Sequence, residues 1–249
     1  MRRRKRTKYK NPPIIEALCE FQLSEDTHWD LTVPGLFYEK LNASYPHREQ
    51  SMIQEVELIQ ETQGLQQRIR LSERILCFEP DRGSLIQLGP RLLVVNVLKP
   101  YPTWEGFKPR IVKAWNSLQE VVEVKGLERI GLRYINRFEF PTEKVAIEDY
   151  FEFYLFFGKH LPQQVASFIA GSEFSYDADR DRCRIQLTPS VADKGKTAVL
   201  LDIYYFLAHP RKVAASDAMH WVEEAHNRVE QVFEGCITDK LRTLFEEVV

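Results

Sequence analysis

The sequence predicts an α+β fold of two βαβββα modules related by a pseudo-twofold axis, with a mostly antiparallel sheet and two long helices covering one face. Three observations predict it. The stretch 127–141, LERIGLRYINRFEFP, alternates strictly. Ile130, Leu132, Tyr134, Asn136, Phe138 and Phe140 take one side of a strand, and Gly131, Arg133, Ile135, Arg137 and Glu139 the other. A face that is apolar save for one Asn is a core face. The stretch has an echo at 15–23, IEALCEFQL, which can be laid on 132–140 so that Leu18 matches Ile135, Phe21 matches Phe138 and Leu23 matches Phe140. Each of these strands is followed by the same order of elements: short helix, three strands, long helix.

In that alignment the polar positions exchange sign, Glu16 falling on Arg133 and Glu20 on Arg137. Antiparallel neighbours about a pseudo-twofold axis would set Glu16 across from Arg137 and Glu20 across from Arg133, where opposed charges attract. The four residues read as structural charge pairs, with ligand contacts as the alternative. Arg133 and Arg137 lie roughly 13 Å apart along a strand, too far to clamp one small carboxylate together.

The first module spans 11–126. Asn11-Pro12-Pro13 is a rigid extended lead-in, because neither proline donates a backbone hydrogen bond. A strand follows over about 14–23, then a loop, and a short helix over 34–44 that Pro34 can open. Three strand-like runs come next, over 55–63, 66–78 and 84–98, the last with a bend at Gly89-Pro90. Trp104, Phe107, Ile111, Trp115, Leu118 and Val122 recur at spacings of three and four and predict a long helix, which Gly126 closes. Pro109 must lie in its first turn or kink it.

The second module spans 127–249 and joins the first in one compact unit. Its strand at 127–141 leads to a predicted helix over 147–158 that carries Tyr150, Phe151, Phe153, Tyr154, Phe156 and Phe157. Strands are expected over 166–176, 182–188 and 197–208, with 177–181 as a polar hairpin turn. Ser216-Asp217 is an N-cap signal for a last long helix. Its stripe is Val222, Ala225, Val229, Val232 and Cys236, continued past a bend at Gly235 by Ile237, Leu241, Leu244 and Phe245.

A chain of 249 residues with 44% hydrophobic and 28% charged residues is that of an ordinary globular protein. No apolar run reaches the length needed to span a bilayer, and no apolar segment follows the basic start as in a secretory signal. Cys19, Cys77, Cys183 and Cys236 lie far apart and read as reduced core residues in a cytoplasmic protein. The net charge of −2 hides an asymmetry, for seven positive charges fall between Arg2 and Lys10, leaving −9 on the rest. The tail 1–10 reads as a solvated, flexible terminus. Nucleic-acid contact through Arg2, Arg3, Arg4, Lys5 and Arg6 is the alternative.

Asn11-Pro12-Pro13-Ile14-Ile15-Glu16-Ala17 and Leu132-Arg133-Tyr134-Ile135-Asn136-Arg137 together resemble the NPPIxEA and LRYINR signatures of a sporadically distributed, uncharacterised prokaryotic family of similar length. The resemblance covers the whole chain through these signatures and the order of elements around them. It brings no catalytic residues. Its patchy distribution implies horizontally moved genes, such as defence or toxin–antitoxin cassettes.

Chemistry-bearing motifs are sparse. The 11 glycines fall in neither GxGxxG nor GxxxxGK[ST] spacing, and GxSxG and HExxH are missing. His220, Glu224 and His226 share a helix, but the six-residue gap between the histidines does not aim all three at one ion, so a solvated face is expected. Asp177, Asp179 and Asp181 begin like a calcium loop but lack its Gly and terminal Glu. Asp202, Glu173 and Lys196 are the pieces a nuclease would use, at undiagnostic spacing. No catalytic residue, metal site or cofactor is therefore assigned.

Six aromatics in eight residues exceed what one helix face buries. Tyr150, Phe153, Tyr154 and Phe157, with Trp104, Trp115, Tyr134 and Asn136, are candidates for a pocket or an interface. The expected function is a non-enzymatic binding or interaction protein, an accessory or antitoxin-like component with a protein partner or homo-oligomer. The alternative is a small-molecule sensor with a pocket between sheet and long helices. A cryptic hydrolase or nuclease is third.

Overall fold

The computed structural model describes residues 9–61, 64–162, 165 and 167–245, with backbone alone over 53–61 and 64–71. The basic residues Arg2, Arg3, Arg4, Lys5 and Arg6 lie outside it. The chain is α+β, with one antiparallel sheet of nine strands. The first half runs β1 (Ile14–Leu23), α1 (Val33–Leu41), β2 (His47–Glu61), β3 (Gly64–Phe78), β4 (Ser84–Gly89), β5 (Leu92–Leu98) and α2 (Thr103–Gln119). The second runs β6 (Leu127–Phe140), β7 (Ala170–Tyr176), β8 (Asp181–Ser190), β9 (Thr197–Leu207), α3 (Ala218–Cys236) and the single turn α4 (Asp239–Arg242). The strand order is β2-β3-β4-β5-β1-β6-β9-β8-β7, so the two echoing strands, β1 and β6, pair at the centre.

Alternation places the core. Ile130, Leu132, Tyr134, Asn136, Phe138 and Phe140 of β6 are all buried, as are Ala17, Cys19, Phe21 and Leu23 of β1. The one polar residue in that row, Asn136, gives its Nδ2 to the Leu201 carbonyl at 3.1 Å, which removes the cost of burying it. The α2 stripe is buried from Phe107 to Leu118, and Trp115 stacks on Phe21 with ring centroids 4.5 Å apart. From α3, Trp221 packs on Tyr205 of β9 at 5.6 Å and gives its indole N–H to the buried Asp181. All four cysteines are buried and unpaired.

Three expectations are corrected. The run 84–98 is a hairpin of two strands, because Pro90-Arg91 makes a tight turn in which Arg91 takes φ 55° and gives its Nε to the Thr27 carbonyl. The aromatic run 147–158 is no α-helix. It holds one 3-10 turn at Ile147–Asp149 and then takes an irregular path. A bridge between Phe151 and Ile237, with Glu152 N–H to the Cys236 carbonyl (2.9 Å) and Thr238 N–H to the Tyr150 carbonyl (3.0 Å), pins it in extended form. The same contact ends α3 at Cys236. Ile237 is extended, and Thr238 caps the separate turn α4 by accepting from the Leu241 N–H. Asp217 stands at the α3 N-cap without a side-chain cap bond.

Candidate functional site

The two signature segments meet. In β1 and β6 the register sets Glu16 opposite Ile135, Leu18 opposite Arg133 and Glu20 opposite Gly131. This lies two residues from the register expected for Glu16–Arg137 and Glu20–Arg133 pairs, and neither pair forms. A two-residue slip keeps every side chain on its own face, so burial does not select between the registers.

Arg133 instead makes a bidentate pair with Asp202 of β9, Nε at 2.8 Å and Nη2 at 2.5 Å. Hydrogen bonding to that carboxylate raises the arginine pKa against the pull of burial. Glu20 accepts the Tyr204 hydroxyl. Tyr204 reaches it by lying flat across Gly131, where an added Cβ would stand 2.6 Å from the ring. Burial, reinforced by the Glu20 charge, pushes the Tyr204 phenol well above its ordinary pKa. Glu16 accepts from Asn96 Nδ2 at 2.6 Å; Asn96 accepts from Gln87, and Gln87 from the buried Arg74. At the other edge of the sheet, Glu173 of β7 holds both Arg182 (3.0 Å) and Arg184 (3.2 Å) of β8. These polar side chains are thus paired, and Asp202, Glu173 and Lys196 belong to separate pairs among them. Lys196 pairs with Glu139 and Asp193.

On the buried face, Trp104 and Tyr134 come together through a residue that the sequence pattern placed on a solvated helix face. His226 is 4% exposed and stacks on Trp104 at 3.9 Å. Its Nδ1 is 3.2 Å from the Tyr134 hydroxyl, which in turn is 3.0 Å from the Tyr101 hydroxyl. Its Nε2 lies 3.2 Å from the Glu230 carboxylate but makes no hydrogen bond of good geometry. Burial is the main cause that holds the Tyr134 phenol above its ordinary range. The signal for His226 was present, since it stands four residues after Val222 and three before Val229, both on the apolar stripe. His220, by contrast, is exposed and lies 3.6 Å from Glu224. Among the described residues no group of three or more His, Cys, Asp or Glu could hold a metal ion.

The remaining aromatic candidates divide. Tyr150 packs on Phe140 at 4.6 Å, and Phe153 packs against the core. Phe157 is half-buried and Tyr154 exposed. None of them packs on Trp104 or Trp115, for those rings are taken by His226 and Phe21. Beyond Phe153, Phe168 packs against the core, while Tyr154, Leu155, Phe156, Leu161, Val165 and Ile169 are exposed, Phe156 by 85% and Ile169 by 68%.

A cleft of about 360 Å³ opens where the Asn11-Pro12-Pro13 lead-in meets the end of β6. Its walls also include the link after β5, with its cis Lys99–Pro100 bond, and Leu244-Phe245. Both signatures contribute to it, the first through Asn11, Pro12 and Pro13, the second through Arg137. Between the sheet and α2, Phe21, Phe107, Ile111, Trp115 and Leu118 belong to one buried cluster.

No family model and no curated protein matches the chain. Among the described residues no helix is long and apolar enough to cross a membrane.

Proposed function

We propose that this protein is a non-catalytic binding module that docks on a partner polypeptide through the connection between β6 and β7. The observation that carries this reading is the exposure of six apolar side chains, Tyr154, Leu155, Phe156, Leu161, Val165 and Ile169, within 16 residues of chain. Single exposed hydrophobics need no explanation, but a run of them on one connection is the signature of a contact surface. The segment is anchored where it begins. Tyr150, Phe151 and Phe153 are built into the core, so the exposed side chains from Tyr154 to Phe156 follow directly on a fixed point. The partner is a polypeptide offering an apolar groove, since large apolar anchors in a desolvated pocket supply most of an interface's energy.

The scaffold is a duplicated module. Its support is the strand order, which runs outward from the centre as β1-β5-β4-β3-β2 on one side and β6-β9-β8-β7 on the other, the first half carrying one strand more at its edge, with a long helix after the last strand of each half. In each half the last strand lies beside the first. The registers of β1, β6 and β9 place Phe21 and Tyr205 on one face, and it is there that Trp115 and Trp221 pack, in keeping with two helices on a single side.

Native mass spectrometry of protein purified gently at low salt tests the docking reading. The wild type is expected to carry a second polypeptide in fixed ratio, and Phe156→Ser to lose it, with a fall in affinity of about tenfold or more. A wild type that carries no second polypeptide, or a complex indifferent to Phe156→Ser and Ile169→Ser alike, would overturn it. A second copy of this chain as the partner would be read from the same spectrum.

A further inference from the structure

The hairpin of β2 and β3 outruns the sheet that carries it. Its register runs unbroken from His47 opposite Phe78 to Glu61 opposite Gly64, but β4 pairs with β3 only from Ile75 to Phe78. From Ser51 and Arg74 outward, among the described residues, the two strands pair with each other alone. This arm has eleven rungs and a length of about 35 Å. A two-stranded ribbon is marginal in water by itself and gains stability when one of its faces is covered.

The two faces of the arm differ. The row that sets Cys77 and Ile75 against the core continues outward through positions 73, 71, 69, 67 and 65, opposite 52, 54, 56, 58 and 60. Alternation places Met52, Val56, Leu58, Leu65, Ile69 and Leu71 on this face, so the core row runs on beyond the sheet. Met52, at the root of the arm, is 63% exposed. The one charge in the row is Glu73, also at the root, which accepts from Gln50 Nε2. The opposite face carries Ile53 and Ile59 among charges, with Glu55 opposite Arg70 and Glu57 opposite Arg68. Each of these two arginines therefore faces a carboxylate across the ribbon, which is not how an arm that grips phosphates is charged.

A neutral apolar face is complementary to itself, since two copies meet on it without opposing like charges. Six large apolar residues at about 100 Å² each give about 600 Å² per copy and about 1,200 Å² for two, where specific interfaces begin. The middle rung of the arm is Val56 opposite Ile69. A twofold axis through it lays each tip over the other's root, covers both faces and keeps the two Glu73 residues at opposite ends.

We propose that two copies of this chain dimerise through their β2–β3 arms, apolar face to apolar face, crossing at the Val56–Ile69 rung. The arm and the 154–169 connection adjoin opposite edges of the sheet, so the dimer leaves that connection to its own partner.

Sedimentation equilibrium of the full chain tests it. The wild type is expected to dimerise with a dissociation constant below about 100 µM. Ile69→Lys brings two ammonium groups to the axis and should weaken the dimer by about tenfold or more, with near-ultraviolet circular dichroism to confirm an intact core. Spin labels on Val56→Cys should lie within about 20 Å of each other, since sheets packed face to face are about 10 Å apart. A wild type still monomeric at about 100 µM, a dimer of unchanged strength in both Ile69→Lys and Val56→Lys, or labels well beyond that separation would overturn the assignment. A dimer lost in Phe156→Ser but kept in Ile69→Lys would overturn it as well, placing self-association on the 154–169 connection.

Discussion

Between β1 and β2 the chain buries one face of a helix and leaves Leu31 and Leu36 outside. Val33, Phe37 and Leu41 form the inner face of α1, which packs against α2, and all three are buried. Between β6 and β7, the connection that leaves the other central strand, Phe151 is buried and then Tyr154, Leu155, Phe156, Leu161, Val165 and Ile169 stay outside. Composition does not separate the two, since both are rich in large apolar side chains. Placement of the anchor does. Pro34 opens a helix whose i, i+4, i+8 positions meet the sheet-covering layer, whereas the Phe151–Ile237 bridge commits the second connection to an extended path after a single 3-10 turn. Among the described residues both connections leave apolar side chains exposed, two in the first and six in the second.

Phe37→Ala should show the difference at its largest. Removing a fully buried ring from α1 is expected to cost about 3–5 kcal/mol of stability in urea unfolding, while Phe156→Ala in the isolated chain changes it by no more than about 0.5 kcal/mol. Equal costs would mean that Phe156 packs within the chain after all.

Gly131→Ala probes the seam from which both connections depart. The added methyl meets the Tyr204 ring, and a loss of about 1–3 kcal/mol is expected. Tyr204→Ala should remove most of that penalty, so the double variant costs less than the two single changes together. Additive costs would show that the ring does not lie over Gly131.

A smaller effect distinguishes the charge partners across the same seam. Breaking the half-exposed Arg133–Asp202 pair should cost about 1 kcal/mol. Exchanging the charges, Arg133→Asp with Asp202→Arg, should recover part of it, and exchanging Arg133 with Glu20 should recover less. The reverse ranking would restore the register expected from the sequence alone.

Much of this architecture is legible in the residues, for reasons that also mark where legibility stops. The alternation of 130–140 finds the core face of β6 down to its one Asn, and the three-and-four spacing of Phe107, Ile111, Trp115 and Leu118 finds α2, because both patterns are burial patterns. That β1 and β6 are neighbours is implied by their echo. Their register is not, because a shift of two residues leaves burial untouched and only Asp202, on a third strand, decides where Arg133 goes. The aromatics of 150–157 satisfy a helix, a strand or a surface equally well, and the choice belongs to Ile237, some eighty residues on. The cleft was visible only as two separate signatures. Nothing in the spacing of Pro12, Lys99 and Arg137 says that they share a wall.

Hydrogen–deuterium exchange on the chain alone and in its gently isolated assembly tests the central claim most directly. In the free chain the amides of 154–161 should exchange quickly while those of α1 are protected. In the assembly the protection of 154–161 should rise and that of α1 stay as it was. An assembly in which 154–161 exchanges as fast as in the free chain would contradict the account and place the contact surface elsewhere.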